Sequence, residues 1–298
     1  MEESPLHQIG LVVHPTRDVE RVLEAISGWA SAHGVEVGQV AVPGQTRHLA
    51  DPVDAAECDL LLALGGDGTT LVALHAAAPV GRPVLGVACG SVGALTSVAG
   101  EGAASALDHV NDGRWTAARM PGLEVAWEDD STAVAINDIA VIRDGPGQVL
   151  VAVTVDGVLY AKVAGDGLVV ATELGSSAYT MAAGGPLVAP GAGGMVVTPL
   201  APHGGSVPPL VVANESRVEL TVEPGYGGVR YEIDGRRAAA EERRLTLGLR
   251  ADYATLVRLA ADEPRLTGLR RRGLVLDSPR VLVRDARPVK PPEVPPSP

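Results

Sequence analysis

The chain has no phenylalanine, only two cysteines and only two lysines among its 298 residues. Two cysteines, Cys58 and Cys89, are too few for a disulfide scaffold, and they predict a reducing, cytoplasmic setting. No apolar run is long enough to cross a membrane, so we expect no membrane partner. The acidic start of the chain, residues 1–4, predicts that it carries no signal peptide.

Positive charge is also scarce. The net charge is −12, and the two lysines, Lys162 and Lys290, lie far apart in the sequence. Because nucleic-acid binding depends on clustered lysine and arginine, the sequence predicts no nucleic-acid partner. What the chain does have is 46% hydrophobic residues, mostly aliphatic, and a length that suffices for two globular domains.

The first 118 residues alternate strand and helix patterns. Residues 58–64 are apolar throughout, as expected for a strand that helices cover on both faces. The alternation predicts a Rossmann-like α/β domain, 1–118, built on a parallel sheet. Its predicted strands are 9–15, 34–42, 58–64 and 83–88, and its predicted helices are 18–33, 69–78 and 102–113.

After about residue 119 the pattern becomes mostly β. Short apolar runs are separated by turn signals such as Asp-Gly at 156–157 and Pro-Gly at 224–225. This predicts a β-sandwich domain over 119–261, interrupted by one short helix near 176–184. Residues 286–298 are rich in proline and predict an extended tail. The predicted strands are 125–127, 132–142, 149–155, 158–163, 168–172, 194–198, 210–213, 217–222 and 229–233.

The segment LLALGGDGTT, residues 61–70, ends an apolar strand in two glycines, an aspartate and a third glycine. In open parallel sheets, ligands bind beyond the carboxyl ends of the strands. Gly65, Gly66 and Gly68 let the backbone approach a ligand closely, and the N-terminus of the following helix favours a phosphate group. We therefore predict that this turn binds phosphate.

Asp67 stands among these glycines and has two interpretations. Beside a bound phosphate, its carboxylate can accept a proton from an attacking hydroxyl or help to hold Mg²⁺. Alternatively, Asp67 caps a helix that begins near Thr69. No lysine follows a glycine, which excludes a Walker A loop, and no G-x-G-x-x-G follows the first strand. A second glycine turn, 86–94, follows the neighbouring strand, where it is placed to line the same cleft.

Six segments carry a more specific pattern. They are GGDGT (65–69), LGVACGSVGAL (85–95), AINDIAV (135–141), GDGLVVATELGSSAYTMAAGGPLVAP (165–190), VTPLAPH (197–203) and YEIDGRR (231–237). In this order, and spread over about 9–275, they resemble the motifs of the NAD kinase family. That family shares its fold with the diacylglycerol and sphingosine kinases.

The resemblance implies an α/β domain and a β-sandwich domain with the site between them. It also implies that the stretch 262–285 returns to pack on the first domain. Family members transfer the γ-phosphate of ATP, with a divalent cation such as Mg²⁺, to the 2′-hydroxyl of the adenosine ribose of NAD, giving NADP. They assemble as homodimers or homotetramers in which a neighbouring subunit often completes the site.

The resemblance also assigns roles to residues. Asp67 activates the ribose hydroxyl, and no residue is assigned as a metal ligand. The residues that bind the donor phosphates are Gly65, Gly66, Gly68, Thr69, Gly90 and Gly93. The residues that bind the acceptor are Asn137, Asp138, Asp166, Thr172, Ser177, Ala178 and Tyr179. Among these, Asn137 and Asp138 would bind ribose hydroxyls or the amide end, and Asp166 would contact the nicotinamide side.

Simpler interpretations of these acceptor residues remain open. Asn137 and Asp138 can form an ordinary turn between strands, because both residue types are common in turns. Asp166, which precedes a glycine, can be an ordinary hairpin aspartate. Tyr179 can be an aromatic residue of the core, and His203 a loop histidine without a catalytic role.

The sequence departs from the family pattern near the acceptor pocket. Ala88 and Ala94 stand where the family usually has asparagine and phenylalanine. Glu173 and Leu174 replace proline and a hydroxyl residue, and 204–209 lacks a family arginine. An aromatic lid contributes about 1–3 kcal/mol of base stacking, and a lost hydrogen bond costs about 1 kcal/mol.

These losses leave three functional hypotheses. The acceptor is NAD, with compensating substitutions elsewhere, and we place this hypothesis first because the ribose-binding segments are retained. The substitutions Asp138 for glutamate and Ser177 for threonine are conservative. In the second hypothesis the acceptor is another nucleoside or nucleotide of a specialised pathway. In the third, the chain is a non-catalytic regulator that binds nucleotides.

Overall fold

A computed structural model describes residues 5–260 and 264–285. The chain divides into two compact units, residues 1–262 and residues 263–298. The proline-rich segment 286–298 lies outside the described residues. Among the described residues, no helix is both long enough and apolar enough to span a membrane.

Six α-helices and eighteen strands are described. The helices are α1 Glu20–His33, α2 Asp67–Ala77, α3 Ala103–Asn111, α4 Tyr179–Ala182, α5 Arg265–Arg271 and α6 Pro279–Asp285. The strands are β1 Gln8–Val13, β2 Glu36–Val40, β3 Pro52–Val53, β4 Leu60–Gly65, β5 Pro83–Ala88, β6 Val98–Ala99, β7 Thr116–Trp127, β8 Thr132–Ala135, β9 Asp138–Arg143, β10 Val149–Val155, β11 Val158–Gly165, β12 Gly167–Thr172, β13 Met195–Leu200, β14 Leu210–Val212, β15 Val218–Glu223, β16 Val229–Ile233, β17 Arg236–Arg237 and β18 Arg244–Arg258.

The first part of the chain forms a parallel sheet in the order β5–β4–β1–β2–β3. Every residue of β4 is buried, as predicted for a strand covered on both faces. Its side chains alternate between the faces: Leu62 and Leu64 pack in the cluster that contains α1 and α3, whereas Leu61 packs with α2. This arrangement directs the N-terminus of α2 to the carboxyl edge of the sheet.

The second part of the chain is a β-sandwich. A sheet in the order β14–β13–β12–β9–β16–β17 faces the strands β11, β10, β15, β18 and β7 of the large sheet. Aliphatic side chains from both sheets fill the space between them, and the rings of Trp127 and Tyr231 pack edge to face at 4.8 Å. The predicted fold class, α/β plus an all-β sandwich, is confirmed.

The long strand β18 was not among the predicted strands, and it connects the two parts. Its first half pairs with β15 and with residues 122–127 of β7. Farther along, Thr255 and Leu256 pair in parallel with β5. One sheet of twelve strands is therefore continuous through both parts. The predicted boundary between residues 118 and 119 falls inside β7, and this division, like the return of 262–285, stays a prediction.

The prediction of one strand over 132–142 is wrong. The chain forms β8, which pairs in the large sheet, and then β9, which pairs in the small sheet. It changes sheets at Ile136 and Asn137, because the Asp234 carboxylate accepts the backbone N–H groups of Ile136, Asn137 and Asp138. Those N–H groups are therefore not available for the backbone hydrogen bonds of a continuous strand.

Two helix predictions also change at their ends. Helix α2 begins at Asp67 rather than at Thr69 and continues into a short 3₁₀ turn, Ala78–Val80. The helix predicted near 176–184 is a 3₁₀ turn, Gly175–Ser177, followed by the single turn of α4.

Candidate active site

A cavity of about 810 Å³ lies beyond the carboxyl ends of β1 and β4. This is the edge at which the sequence predicts ligand binding. One wall is the glycine turn together with the first turns of α2, and the opposite wall is the hairpin that joins β16 to β17. The lining residues with most bearing on its chemistry are His14, Arg17, Gly66, Asp67, Gly68, Thr69, His75, Asp234, Arg236 and Arg237.

The Asp67 carboxylate joins the two glycine turns. Its Oδ2 accepts the backbone N–H of Ala94 at 2.9 Å, and its Oδ1 accepts that of Leu95 at 2.8 Å. A side chain at Gly93 would overlap this carboxylate, which explains why glycine is needed there. The residue in the N-cap position of α2 is Gly66, so the interpretation of Asp67 as the helix cap is wrong.

The glycines of the first turn serve two purposes. Gly65 is buried, and a Cβ atom there would overlap the Thr69 side chain, so this glycine permits internal packing. Gly66 and Gly68 face the cavity, and Gly68 is exposed with open space around its missing side chain. Close approach by a ligand is therefore available at Gly66 and Gly68 rather than at Gly65.

The second turn lies under an arginine that the sequence did not single out. Gly90 has a φ of 143°, in a region that favours glycine. The Arg17 guanidinium lies beside both Gly90 and Gly66, and its Nη1 donates to the Cys89 carbonyl oxygen at 3.2 Å. The sequence did contain a signal for Arg17 as a site residue. It is a basic residue just after the first strand, at the edge already predicted to bind phosphate.

A second missed residue, Asp234, is the centre of a buried hydrogen-bond cluster. Its side chain is only 3% exposed, and its Oδ2 lies 2.6 Å from Nε2 of His75 on α2. Its two oxygens also accept the N–H groups of Ile136, Asn137 and Asp138, at 2.6–3.1 Å. The backbone at Asn137–Asp138 is therefore a bend between sheets, held in place by the neighbouring YEIDGRR segment.

Replacing Asp234 with asparagine is expected to lower the free energy of unfolding by about 1–3 kcal/mol, because the amide NH₂ strands a buried N–H donor. Urea unfolding at about pH 5 measures this change in a condition where the neighbouring Asp138 is protonated. Asp129→Asn, at an exposed position, is the control. Equal stability of the Asp234 and Asp129 variants would contradict the role of Asp234 as the centre of the cluster.

Asp138 is buried next to this cluster. Burial first, and then the negative charge of Asp234, raise the pKa of the Asp138 carboxyl group to about 7, although it accepts the backbone N–H of Tyr179. Neither Asp138 nor the half-buried Asn137 beside it lines either of the two cavities. The Asp138 carboxyl group therefore stays protonated to a higher pH than an exposed aspartate does.

Asp166 and Tyr179 line a second cavity of about 510 Å³. The Arg143 Nε donates to Asp166 Oδ1 at 2.6 Å, so Asp166 is ion-paired and is not merely a hairpin residue. Tyr179 is 39% exposed, which excludes its interpretation as a core aromatic. Arg230, paired with Glu232 at 2.8 Å, completes the polar wall.

Thr172 cannot contact an acceptor as predicted, because it is fully buried. Its hydroxyl donates to the Ile136 carbonyl oxygen and accepts the N–H of Gly175, so it positions the segments around it. Ser177 and Ala178 are half-buried next to Tyr179, and the Ser177 hydroxyl donates to the Leu174 carbonyl oxygen.

Three departures from the family pattern are accommodated by internal contacts. The Glu173 carboxylate accepts the N–H groups of Gly191 and Gly193, at 3.1 and 2.7 Å. Leu174 is buried in the apolar cluster under α2, and Ala88 is buried where β5 ends beside β4. These residues therefore do not line the cavities that the substrates would occupy.

Within the described ranges, no three histidine, cysteine, aspartate or glutamate side chains converge to form a protein-only metal site. Mg²⁺ usually binds through one or two carboxylates together with substrate phosphates. Asp67, the carboxylate at the glycine turn, is compatible with that mode.

Comparison with known proteins agrees with this geometry. Residues 9–115 match the family model of the ATP-NAD kinase N-terminal domain, and residues 136–256 match that of the C-terminal domain. An NAD kinase of Chlorobium luteolum is 31% identical over 274 residues, covering 87% of this chain and 93% of that protein. An NAD kinase of Symbiobacterium thermophilum is 35% identical over 233 residues, covering 76% and 81%.

Solved structures give the same result. An NAD kinase from Archaeoglobus fulgidus in complex with ATP superposes with a TM-score of 0.72 at 26% identity, covering 91% of this chain and 100% of that chain. A yeast NADH kinase complexed with NADH shares the fold, with a TM-score of 0.78 at 23% identity, covering 93% and 90%. Fold and glycine turns together define a nucleotide-binding protein of the α/β-plus-sandwich class. Within that class, the chain belongs to the ATP-NAD kinase family.

Proposed function

We propose that the protein transfers the γ-phosphate of ATP to the 2′-hydroxyl of the adenosine ribose of NAD, giving NADP. The observation that carries this proposal is the position of Asp67. Its carboxylate stands at the N-terminus of α2, beside the exposed glycine turn, and faces the large cavity. A carboxylate so placed can accept a proton from a hydroxyl that attacks a bound phosphate.

The donor phosphates bind at the backbone N–H groups of Gly66 and Gly68, where the dipole of α2 is also favourable. A divalent cation such as Mg²⁺, if bound with ATP, would supply neutralisation of the charge on the phosphates. Asp67 is the residue that would hold it from the protein side. Residues 1–118 supply this donor part of the site.

The acceptor binds against residues 119–261. Asn137, Ser177, Ala178 and Tyr179 contact its ribose and base, while Asp166 contacts the nicotinamide side. Each Asp67 oxygen accepts one backbone N–H, and a carboxylate oxygen can accept more than one hydrogen bond, so the ribose hydroxyl can donate to the same carboxylate. The two N–H groups orient the carboxylate for that contact.

A second candidate, phosphorylation of another nucleoside or nucleotide, is favoured by one observation. Ala94 replaces the aromatic residue with which the family pattern closes over the adenine, while both of its backbone polar groups are engaged, with Asp67 and Arg258. The backbone at Ala94 is thus held in place without an aromatic side chain. A homodimer or homotetramer remains part of the proposal, and light scattering after gel filtration measures it.

A mass-spectrometric acceptor screen with Mg-ATP tests the proposal. The panel contains NAD, NADH, adenosine, AMP, uridine and UMP, with ATP omitted as the control. We expect a phosphorylated product from NAD that an NADP-specific dehydrogenase accepts. Transfer to another member alone would establish the second candidate. Nucleotide binding without any transfer would establish a regulator.

A further inference from the structure

We infer that Arg17 is a phosphate-binding residue, whose guanidinium group lies across both glycine turns and binds the terminal phosphates of the donor. This inference rests on the proposed function. None of the six family-like segments contains Arg17. It follows β1, and its assignment comes from the position of its side chain.

The geometry brings Arg17 to the place where the two turns meet. In the sheet, β4 lies between β1 and β5, so the turns after β4 and β5 are neighbours of the loop after β1. A methyl group on Gly66 would lie 3.5 Å from Nη1 of Arg17, and one on Gly90 would lie 3.1 Å from it. The guanidinium therefore rests against both turns at once.

The backbone of Arg17 is held in place although its side chain is exposed. The Nδ1 of His14 accepts the N–H groups of Thr16 and Arg17, at 3.2 and 3.1 Å. On the other side, Nη1 of Arg47 donates to the Arg17 carbonyl oxygen at 2.6 Å. The loop thus presents the side chain over the turns before any ligand binds.

The guanidinium has unused hydrogen-bonding capacity. It carries five N–H donors, and among the described residues its one hydrogen-bond acceptor is the Cys89 carbonyl oxygen. No carboxylate pairs with it within the described ranges, whereas Arg237, also at the cavity, pairs with Asp144 at 2.7 Å. In a chain of net charge −12, an arginine above a phosphate turn that pairs with no carboxylate of the described residues points to an anionic ligand.

The chemistry of arginine suits this ligand. Its planar fork can donate two parallel hydrogen bonds to the oxygens of one phosphate or of two adjacent phosphates. The glycine turn supplies neutral N–H donors, and α2 supplies only a partial charge. Arg17 therefore adds a full positive charge directly at the two glycine turns. Among the described residues the only lysine is Lys162, which lies in β11 and does not line this cavity.

The test compares Arg17→Gln and Arg17→Lys with Arg114→Gln, a surface arginine paired with Asp112. Calorimetry measures the affinity for ATP, inorganic tripolyphosphate, adenosine and NAD. We expect Arg17→Gln to weaken ATP and tripolyphosphate about tenfold to a hundredfold, as for loss of a charged hydrogen bond. Adenosine and NAD affinities should stay within about twofold of wild type, Arg17→Lys should be intermediate, and Arg114→Gln should match wild type.

A tripolyphosphate affinity unchanged in Arg17→Gln would overturn the inference. Equal losses of affinity for adenosine and NAD in Arg17→Gln would also overturn it, because they would indicate a general distortion of the site. A wild-type protein that binds neither ATP nor tripolyphosphate would overturn it as well. These outcomes are separate from the acceptor screen. A protein that binds tripolyphosphate through Arg17 but never phosphorylates NAD would refute the proposed function and leave the assignment of Arg17 intact.

Discussion

Replacing Asp67 with asparagine is expected to lower kcat about 100- to 10,000-fold, the range typical for loss of a general base. The amide cannot accept a proton from the ribose hydroxyl. It also turns its NH₂ group toward the N–H of Ala94 or of Leu95, since both now bond to the carboxylate. We therefore expect the second glycine turn to become less firmly held, in addition to the loss of the proton-accepting group.

Two measurements separate these effects. Rapid-quench kinetics give the rate of the transfer step, and calorimetry gives the ATP affinity. We expect this affinity to change by less than about tenfold, because the substitution leaves the backbone N–H groups of Gly66 and Gly68 in place. Asp51→Asn, at an exposed position, is the control. Turnover retained by the Asp67 variant would remove this residue from catalysis. A loss of ATP affinity in proportion to kcat would reduce Asp67 to a support of the second turn.

The second large effect concerns Asp138 and stability. The pKa of its carboxyl group is raised from 3.8 to about 7, so between these values the folded chain binds a proton that the unfolded chain does not. Stability from this group is therefore fully present below about pH 3.8 and is lost as the pH rises through about 7. From about pH 4.5 to pH 8 the loss is on the order of 3 kcal/mol.

The variant Asp138→Asn cannot ionise, but its amide oxygen can still accept the Tyr179 N–H. We expect the variant to gain stability relative to wild type as the pH rises, by that same order of magnitude. Urea unfolding at both pH values measures this difference, and Asp51→Asn again serves as the control. A difference between wild type and the Asp138 variant that stays constant between the two pH values would contradict proton binding by Asp138.

The elements that sequence reasoning found are those defined by local pattern. The limits of β5, β10 and β16 agree with prediction because each strand is a short apolar run between turn residues. The phosphate turn was found because a glycine cluster directly after a buried parallel strand is typical of a ligand-binding edge. Family motifs then led to Asp166 and Tyr179, which share a cavity.

The elements that were missed depend on partners far away in the sequence. Asp234 takes the N–H groups of residues 136–138, almost a hundred positions away, so the break between β8 and β9 cannot be read from its own residues. Asp67 reaches Ala94 and Leu95 in the same way. The sequence alone does not distinguish Arg17 from other surface arginines. Its place at the glycine turns depends on the pairing of β1 with β4.

Leu174 shows the same limit at a single position. From the sequence, Leu174 predicts the loss of a hydrogen bond from the acceptor pocket. In the structure its side chain packs in the apolar cluster beneath α2. The Leu174 side chain lines neither cavity. Among the departures from the family pattern, Ala94 and residues 204–209 remain the ones that bear on the choice of acceptor.

Asp67 acts, in this mechanism, by accepting the proton of the ribose 2′-hydroxyl beside a donor held at the glycine turn. A crystal structure with NAD and a non-hydrolysable ATP analogue tests this role. We expect the terminal phosphate at the N–H groups of Gly66 and Gly68, and the 2′-oxygen within about 3 Å of the Asp67 carboxylate, the distance of a hydrogen bond. A ternary complex in which the ribose lies far from Asp67 while both ligands are fully bound would contradict it.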